Sequence, residues 1–299
     1  MKLAAIDIGS NAARLLVSEM ISAGKGAVHL QKLNLVRIPL RLGFDVFENN
    51  HISREKENML LHTMQAYRQL LLAYGVPLTH LKAAATSAMR DAANAREILQ
   101  KIKEQTGIEV EIITGDMEAT IIYENHVAET LNNDKAYLYI DVGGGSTELS
   151  FFEEGKLKTK RSFNIGTIRL LKRQINNTDW DTLREFIKKE ITPAKRQLLA
   201  IGSGGNINKL FSLSKRKEGR PLDLSLLKEY HKEMEALTIE ERMLKYNIKE
   251  DRADVIVPAL QIYINVMRWA DCDEIFVPKI GLADGLIQHL YEEMAGQVC

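Results

Sequence analysis

Ile140-Asp141-Val142-Gly143-Gly144-Gly145-Ser146-Thr147-Glu148 restates Ile6-Asp7-Ile8-Gly9-Ser10-Asn11 at an offset of 134 residues (141 minus 7), with two extra glycines. In both copies an apolar run ends in an aspartate, then glycine, then a hydroxyl side chain. Such a run reads as a buried strand that delivers a carboxylate to its exposed end. Glycine then lets the backbone turn tightly enough for its N–H groups to face an anion. A hydroxyl in the turn adds one more donor. Two copies in successive halves predict a duplicated fold whose two loops grip a polyphosphate from both sides.

Outward from these loops, short apolar runs alternate with helical periodicity, which predicts an α/β fold. In the first half, strands are expected at residues 3–8, 14–20 and 28–37, then a helix over 53–74 with Leu60, Met64, Tyr67, Leu71 and Tyr74 on one face and Gly75 as its stop. A strand at 81–85, a helix from Asn94 to Gly107 with Glu97 in capping-box position, and a strand at 108–113 follow. Asp116 is expected to cap a helix reaching Leu131. The second half restarts with strands at 136–142, 147–152 and 157–163, helices at 167–175 and 179–191, and a strand at 198–201 entering a third glycine turn, Gly202-Ser203-Gly204-Gly205-Asn206. A basic linker over 214–221 leads to a helical stretch ending at Trp269, a strand at 274–277 and a helix at 281–294. The expected division is a lobe at 1–125, a lobe at 126–285 and a helix at 286–299 packing back on the first lobe, with hinges near 125–133 and before Gly285. Ligands of such sheets bind beyond the carboxyl ends of the strands, where all three glycine turns fall.

At 299 residues the length favours two domains, and 45% hydrophobic with 27% charged residues is the composition of a globular protein. A net charge of zero gives no global reason to bind a nucleic acid polymer. Seven basic residues and no acid between Gly155 and Thr178 read either as a solvated hairpin face or as an electropositive wall. The cysteines, Cys272 and Cys299, define no disulfide framework, and Asp7 interrupts any signal-peptide core. The longest apolar stretch, 255–267, contains Pro258, Gln261 and Asn265 and is too short to span a bilayer. A cytoplasmic protein without membrane contact is the expectation. The histidines do not cluster at zinc spacing, and the P-loop ending Gly-Lys-Ser is absent.

Asp7 and Asp141 read as turn formers or as ligands of a divalent cation, since a bare carboxylate beside a phosphate cradle repels the ligand. Magnesium is the economical choice, and Glu148 is placed to share it. Arg14 points back toward the anion or out into solvent; the sequence leaves both open. Thr114-Gly115-Asp116-Met117-Glu118-Ala119 reads as a helix start, but its place after the last strand of the first half makes Glu118 a candidate for deprotonating water. Arg90, in Ala84-Ala85-Thr86-Ser87-Ala88-Met89-Arg90-Asp91, and Arg41 are each surface or ligand-facing.

In combined order these segments, with Arg41-Leu42-Gly43, Arg252-Ala253-Asp254 and Gly281-Leu282-Ala283-Asp284-Gly285, resemble the exopolyphosphatase and guanosine pentaphosphate phosphohydrolase family, a branch of the acetate kinase, sugar kinase, actin and heat-shock ATPase superfamily. The resemblance covers nearly the whole chain. It implies two duplicated ribonuclease-H-like lobes with an interlobe cleft, Glu118 as the water-activating base, and Asp141 and Glu148 in support of magnesium and catalysis. Asp7 is a further metal candidate. Phosphates would be held by Ser10, Asn11 and Arg14, by Gly143, Gly144, Gly145, Ser146 and Thr147, and by Arg41, Arg90, Gly204 and Gly205. The expected substrate is inorganic polyphosphate of short or medium length. The alternatives are guanosine pentaphosphate or a guanosine tetra- or pentaphosphate-binding module with little turnover, and a homodimer is expected. Met117 stands where many relatives carry a first glutamate, and Ala12 where serine is common. Longer members continue into a helical domain with a His-Asp pair, and with the sequence stopping at Cys299 the resemblance implies the short form.

Overall fold

The computed structural model describes residues 1–22, 28–124, 135–192, 197–278 and 281–296. The chain forms two compact units, Met1–Asn125 with Leu282–Cys299, and His126–Gly281. The expected hinge at 125–133 and the predicted helix end at Leu131 lie outside the described residues.

The first unit begins as an antiparallel meander, β1 (Lys2–Ile8), β2 (Ala13–Ser22) and β3 (Val28–Ile38). Helices α1 (Leu42–Asn49) and α2 (Arg54–Tyr74) lead to β4 (Leu81–Ala85), then α3 (Ser87–Asp91), α4 (Ala95–Thr106), β5 (Glu111–Ile112) and α5 (Gly115–Glu124). The sheet order is β3-β2-β1-β4-β5, with β1, β4 and β5 parallel. Ser53 caps α2 by accepting the Lys56 N–H, and Gly75 ends it at φ 69°. Tyr67, buried on that helix, donates to the Ala13 carbonyl at 3.0 Å and fixes α2 over β2. The other face of the sheet is covered by the last helix of the chain, which packs Leu282, Ala283, Leu286 and Ile287 against Leu3, Ala5, Leu16 and Ala84.

Three local expectations are corrected. Asn94 precedes α4 but makes no side-chain cap; its amide bonds the Ile52 N–H at 3.0 Å and the Ile52 carbonyl at 2.9 Å, so a tertiary tie displaces the capping box. Thr114, not Asp116, opens α5, accepting the Met117 N–H on its hydroxyl. The strand expected at 108–113 is two residues long.

The second unit repeats the plan: meander β6 (Ala136–Val142), β7 (Thr147–Glu153) and β8 (Lys156–Phe163), helices α6 (Thr167–Leu171) and α7 (Asn177–Glu190), then β9 (Leu198–Ser203) and α8 (Gly205–Ser214). The basic linker enters not a helix but β10 (Leu222–Asp223), braced by the Arg216–Asp223 ion pair. Helices α9 (Leu224–Glu235), α10 (Ile239–Tyr246), α11 (Glu250–Ala253) and α12 (Ile256–Trp269) precede β11 (Glu274–Phe276), and α13 (Leu282–Gly296) returns to the first unit. The order is β10-β11-β9-β6-β7-β8, with β6, β9 and β11 parallel. Reversed, β8-β7-β6-β9-β11 matches β3-β2-β1-β4-β5, so each half has the same five-strand plan and β10 is an added edge. The apolar stretch at 255–267 is α12, buried on nearly every side in this core.

Candidate active site

The three glycine turns that follow β1, β6 and β9 sit at the carboxyl ends of parallel strands, as the sequence predicts. In the first unit, Gly9 donates to the Ala12 carbonyl at 3.0 Å, closing the β1–β2 turn, and Asp7 pairs across the ladder with Arg14. Their side chains form an ion pair at 2.6 Å, with Asp7 buried. The Ser10 carbonyl accepts the Gly43 N–H at 2.8 Å and the Asn11 carbonyl the Arg41 N–H at 2.9 Å. Because a trans peptide points its C=O and N–H in opposite directions, the N–H groups of Asn11 and Ala12 turn away from α1. Arg41 is in the left-handed region, φ 56°, with its guanidinium 4.0 Å from the Phe44 ring centre.

The neighbouring turns are stitched to this one. Thr86 donates its N–H to the Ile8 carbonyl at 3.1 Å, and the buried hydroxyls of Ser10 and Ser87 lie 2.7 Å apart. Arg90 commits one guanidinium nitrogen to the Ile113 carbonyl at 2.7 Å, which joins this rim to the start of α5. Glu118, half-buried, lies in the first turn of α5, where the helix dipole favours a carboxylate. Met117 beside it is exposed. In the first unit Ser10, Asn11 and Arg14 thus lie on or beside the β1–β2 turn, Arg41 and Arg90 on segments hydrogen-bonded to it, and Glu118 in the first turn of the helix that follows β5.

In the second unit, Gly143 donates to the Ser146 carbonyl at 2.9 Å, in the same way as Gly9 to Ala12. Asp141 pairs across the ladder with Glu148. Each of these positions is 134 beyond its counterpart, so the extra glycines replace Ser10 and Asn11 without lengthening the turn. One change of charge separates the copies: where the first has aspartate opposite arginine, the second has aspartate opposite glutamate. Glu148 is only 3% exposed and accepts the Ser162 hydroxyl at 2.8 Å.

The loop carbonyls are engaged by α6. Gly143 accepts from Thr167 at 3.0 Å, Gly144 from Ile168 at 2.9 Å and Gly145 from the Arg169 Nε at 3.0 Å. The N–H groups of Gly144, Gly145 and Ser146 therefore point away from α6, an array suited to an anion. Thr147 is internal: its hydroxyl donates to the Ile165 carbonyl at 2.5 Å and the residue is fully buried.

Beside the acids, Gly204 has φ 108°, and a Cβ there would stand 3.1 Å from Asp141 Oδ1 and 3.5 Å from the Tyr263 hydroxyl. Tyr263 is fully buried and donates to the Ser203 carbonyl. Burial first, and then the negative charge of Asp141, push its hydroxyl well above the ordinary tyrosine value. Sequence reading missed Tyr263 because it lies inside an apolar helix; its signal is a phenol among aliphatic neighbours, which needs a partner when buried.

Among the described residues no group of three or more His, Cys, Asp and Glu side chains is arranged to hold a metal ion. Asp141 and Glu148 are two hard oxygen donors of the kind that a largely hydrated magnesium ion accepts. The counterpart Asp7 is already neutralised by Arg14. Among the described residues no helix is long and apolar enough to cross a membrane. The basic run of 155–178 includes edge strand β8, where Lys156 and Lys158 are exposed, as lysines commonly are on edges that avoid pairing.

The Ppx/GppA phosphatase family profile matches residues 21–294. The chain belongs to this family. It is similar to a guanosine-5'-triphosphate,3'-diphosphate pyrophosphatase of Vibrio campbellii, 26% identical over 304 residues that cover 97% of this chain and 59% of the relative. It thus spans less than two thirds of the length of the curated relatives it matches. Among solved structures it is similar to an exopolyphosphatase from Cytophaga hutchinsonii, 25% identical with TM-score 0.80 over 99% of this chain and 98% of that one. The Aquifex aeolicus member of the Ppx/GppA family is 26% identical with TM-score 0.73, covering 98% of each chain. The duplicated ribonuclease-H-like α/β fold is shared with these two solved structures.

Proposed function

We propose that this Ppx/GppA phosphatase hydrolyses terminal phosphoanhydride bonds of inorganic polyphosphate of short or medium length. The observation that carries the reading is the Asp141–Glu148 pair, two carboxylates on adjacent strands at the register where the duplicate copy holds an internal ion pair. Beside an array of loop N–H groups, such a pair suits a phosphate ligand when a divalent cation lies between them. Magnesium held there would neutralise charge on the transferred phosphoryl oxygens. Glu118 accepts the proton of the attacking water. The N–H groups of Asn11 and Ala12 and of Gly144 to Ser146, with Arg14 and Arg41, stabilise negative charge on the phosphates.

Hydrolysis of guanosine pentaphosphate is the second reading, favoured by the similarity to the Vibrio campbellii pyrophosphatase along 97% of this chain. The test is orthophosphate release from a length-defined polyphosphate series and from guanosine pentaphosphate, with and without magnesium. Magnesium-dependent release from short polyphosphates in preference to the nucleotide supports the first reading. Preference for the nucleotide supports the second. Tight nucleotide binding with no release from any substrate would replace both with a binding module.

A further inference from the structure

Helix α5, which carries Glu118, is seated by a segment from the far end of the chain. Gly285, in the first turn of α13, lies against the α5 backbone so closely that a Cβ there would stand 2.4 Å from the Ile121 carbonyl oxygen, 2.6 Å from its Cγ2 and 2.9 Å from its carbonyl carbon. Real Cβ atoms do not approach backbone to such distances, so any side chain would force the helices apart. Ile121 is three residues beyond Glu118, less than one turn along the same helix. Its buried side chain packs with Leu282, Ala283, Leu286 and Ile287. Helix α13 is itself tied to the sheet by ion pairs, Lys32 with Asp284 at 2.5 Å and Lys82 with Glu293 at 2.5 Å.

We infer that Gly285 is a positioning residue for Glu118: its missing side chain lets α13 fix the depth and direction of α5, and through it the carboxylate. This rests on the reading of Glu118 as the base. A helix moves as a unit, so displacing Ile121 by about 1 Å displaces Glu118 by a similar amount, and misplacement on that scale lowers turnover by about 10²-fold.

The test is a double-mutant cycle on the full chain, using short polyphosphate or guanosine pentaphosphate, whichever the wild type hydrolyses, with magnesium. Gly285→Ala is expected to lower kcat by about 10²-fold with KM within about twofold, while circular dichroism remains native. In the Glu118→Gln background the same change is expected to lower the residual rate by less than about twofold, because the group it displaces no longer acts. Equal losses in both backgrounds, or wild-type kcat in Gly285→Ala, would overturn the positioning role. Glu118→Gln with wild-type turnover would overturn the base assignment instead, so the two failures are separable. If Gly285→Ala does not yield folded protein, Ile121→Ala, which loosens the same contact without adding an atom, enters the cycle with the same two readings.

Discussion

Gly166→Ala is the sharpest steric test of the triple-glycine loop. Gly166 precedes α6 with φ −134°, a conformation open to any residue, so only space reserves the position for glycine. A Cβ there would lie 2.4 Å from the Gly144 oxygen and 2.4 Å from the Gly145 carbonyl carbon, about 1 Å short of ordinary contact. Both obstacles are backbone and cannot rotate aside, so the loop must move by about that amount. Overpacking of this kind costs about 1–3 kcal/mol. The displaced N–H array loses its aim, and a shift of about 1 Å lowers kcat/KM by about 10²-fold. Urea unfolding and orthophosphate release measure the two effects. Gly219→Ala is the control: at φ 79° with nothing within 4 Å of a Cβ, it costs about 1–2 kcal/mol of left-handed strain and leaves turnover unchanged. Wild-type stability and kcat/KM in Gly166→Ala would refute the geometry, as would equal losses of activity in the two variants.

Glu148→Gln is expected to raise the half-activating magnesium concentration about tenfold or more, whereas Asp7→Asn leaves it within about twofold because Arg14 already holds that carboxylate; magnesium titrations of initial rate read both. Tyr263→Phe removes the donor to the Ser203 carbonyl and is expected to cost about 1–3 kcal/mol in urea unfolding. Since its folded-state pKa is raised, Tyr263 contributes stability that is full below the unfolded value of about 10 and is lost as pH rises beyond it. Unfolding free energies measured between pH 9 and 11 are therefore expected to fall less steeply in Tyr263→Phe than in the wild type, by up to about 1.4 kcal/mol per pH unit.

Regular elements were legible wherever periodicity was long. The meanders, α2 with Ser53 and Gly75 at its ends, and the strand at 81–85 follow from apolar spacing and caps alone. The capping box at Asn94 failed because the competing partner, Ile52, is 42 residues away in sequence. Strand β10 failed because two residues carry no period, and it exists only as a partner for β11. The duplicated loops were visible as a motif, but their equal length was not: an alignment that follows the hydroxyls shifts the register and hides the Arg14-to-Glu148 exchange. Tyr263 and Gly285 matter through tertiary approach, to Ser203 and to Ile121, which no local spacing encodes.

In the proposed reaction Glu118 activates water for attack on a terminal phosphoryl group. Its most direct test is single-turnover orthophosphate release by the wild type and Glu118→Gln on the same substrate with magnesium, alongside the affinity of each for that substrate. The expected result for Glu118→Gln is a loss of about 10²–10⁴-fold in the chemical step with affinity preserved within a few-fold. A chemical step in Glu118→Gln as fast as in the wild type would contradict it.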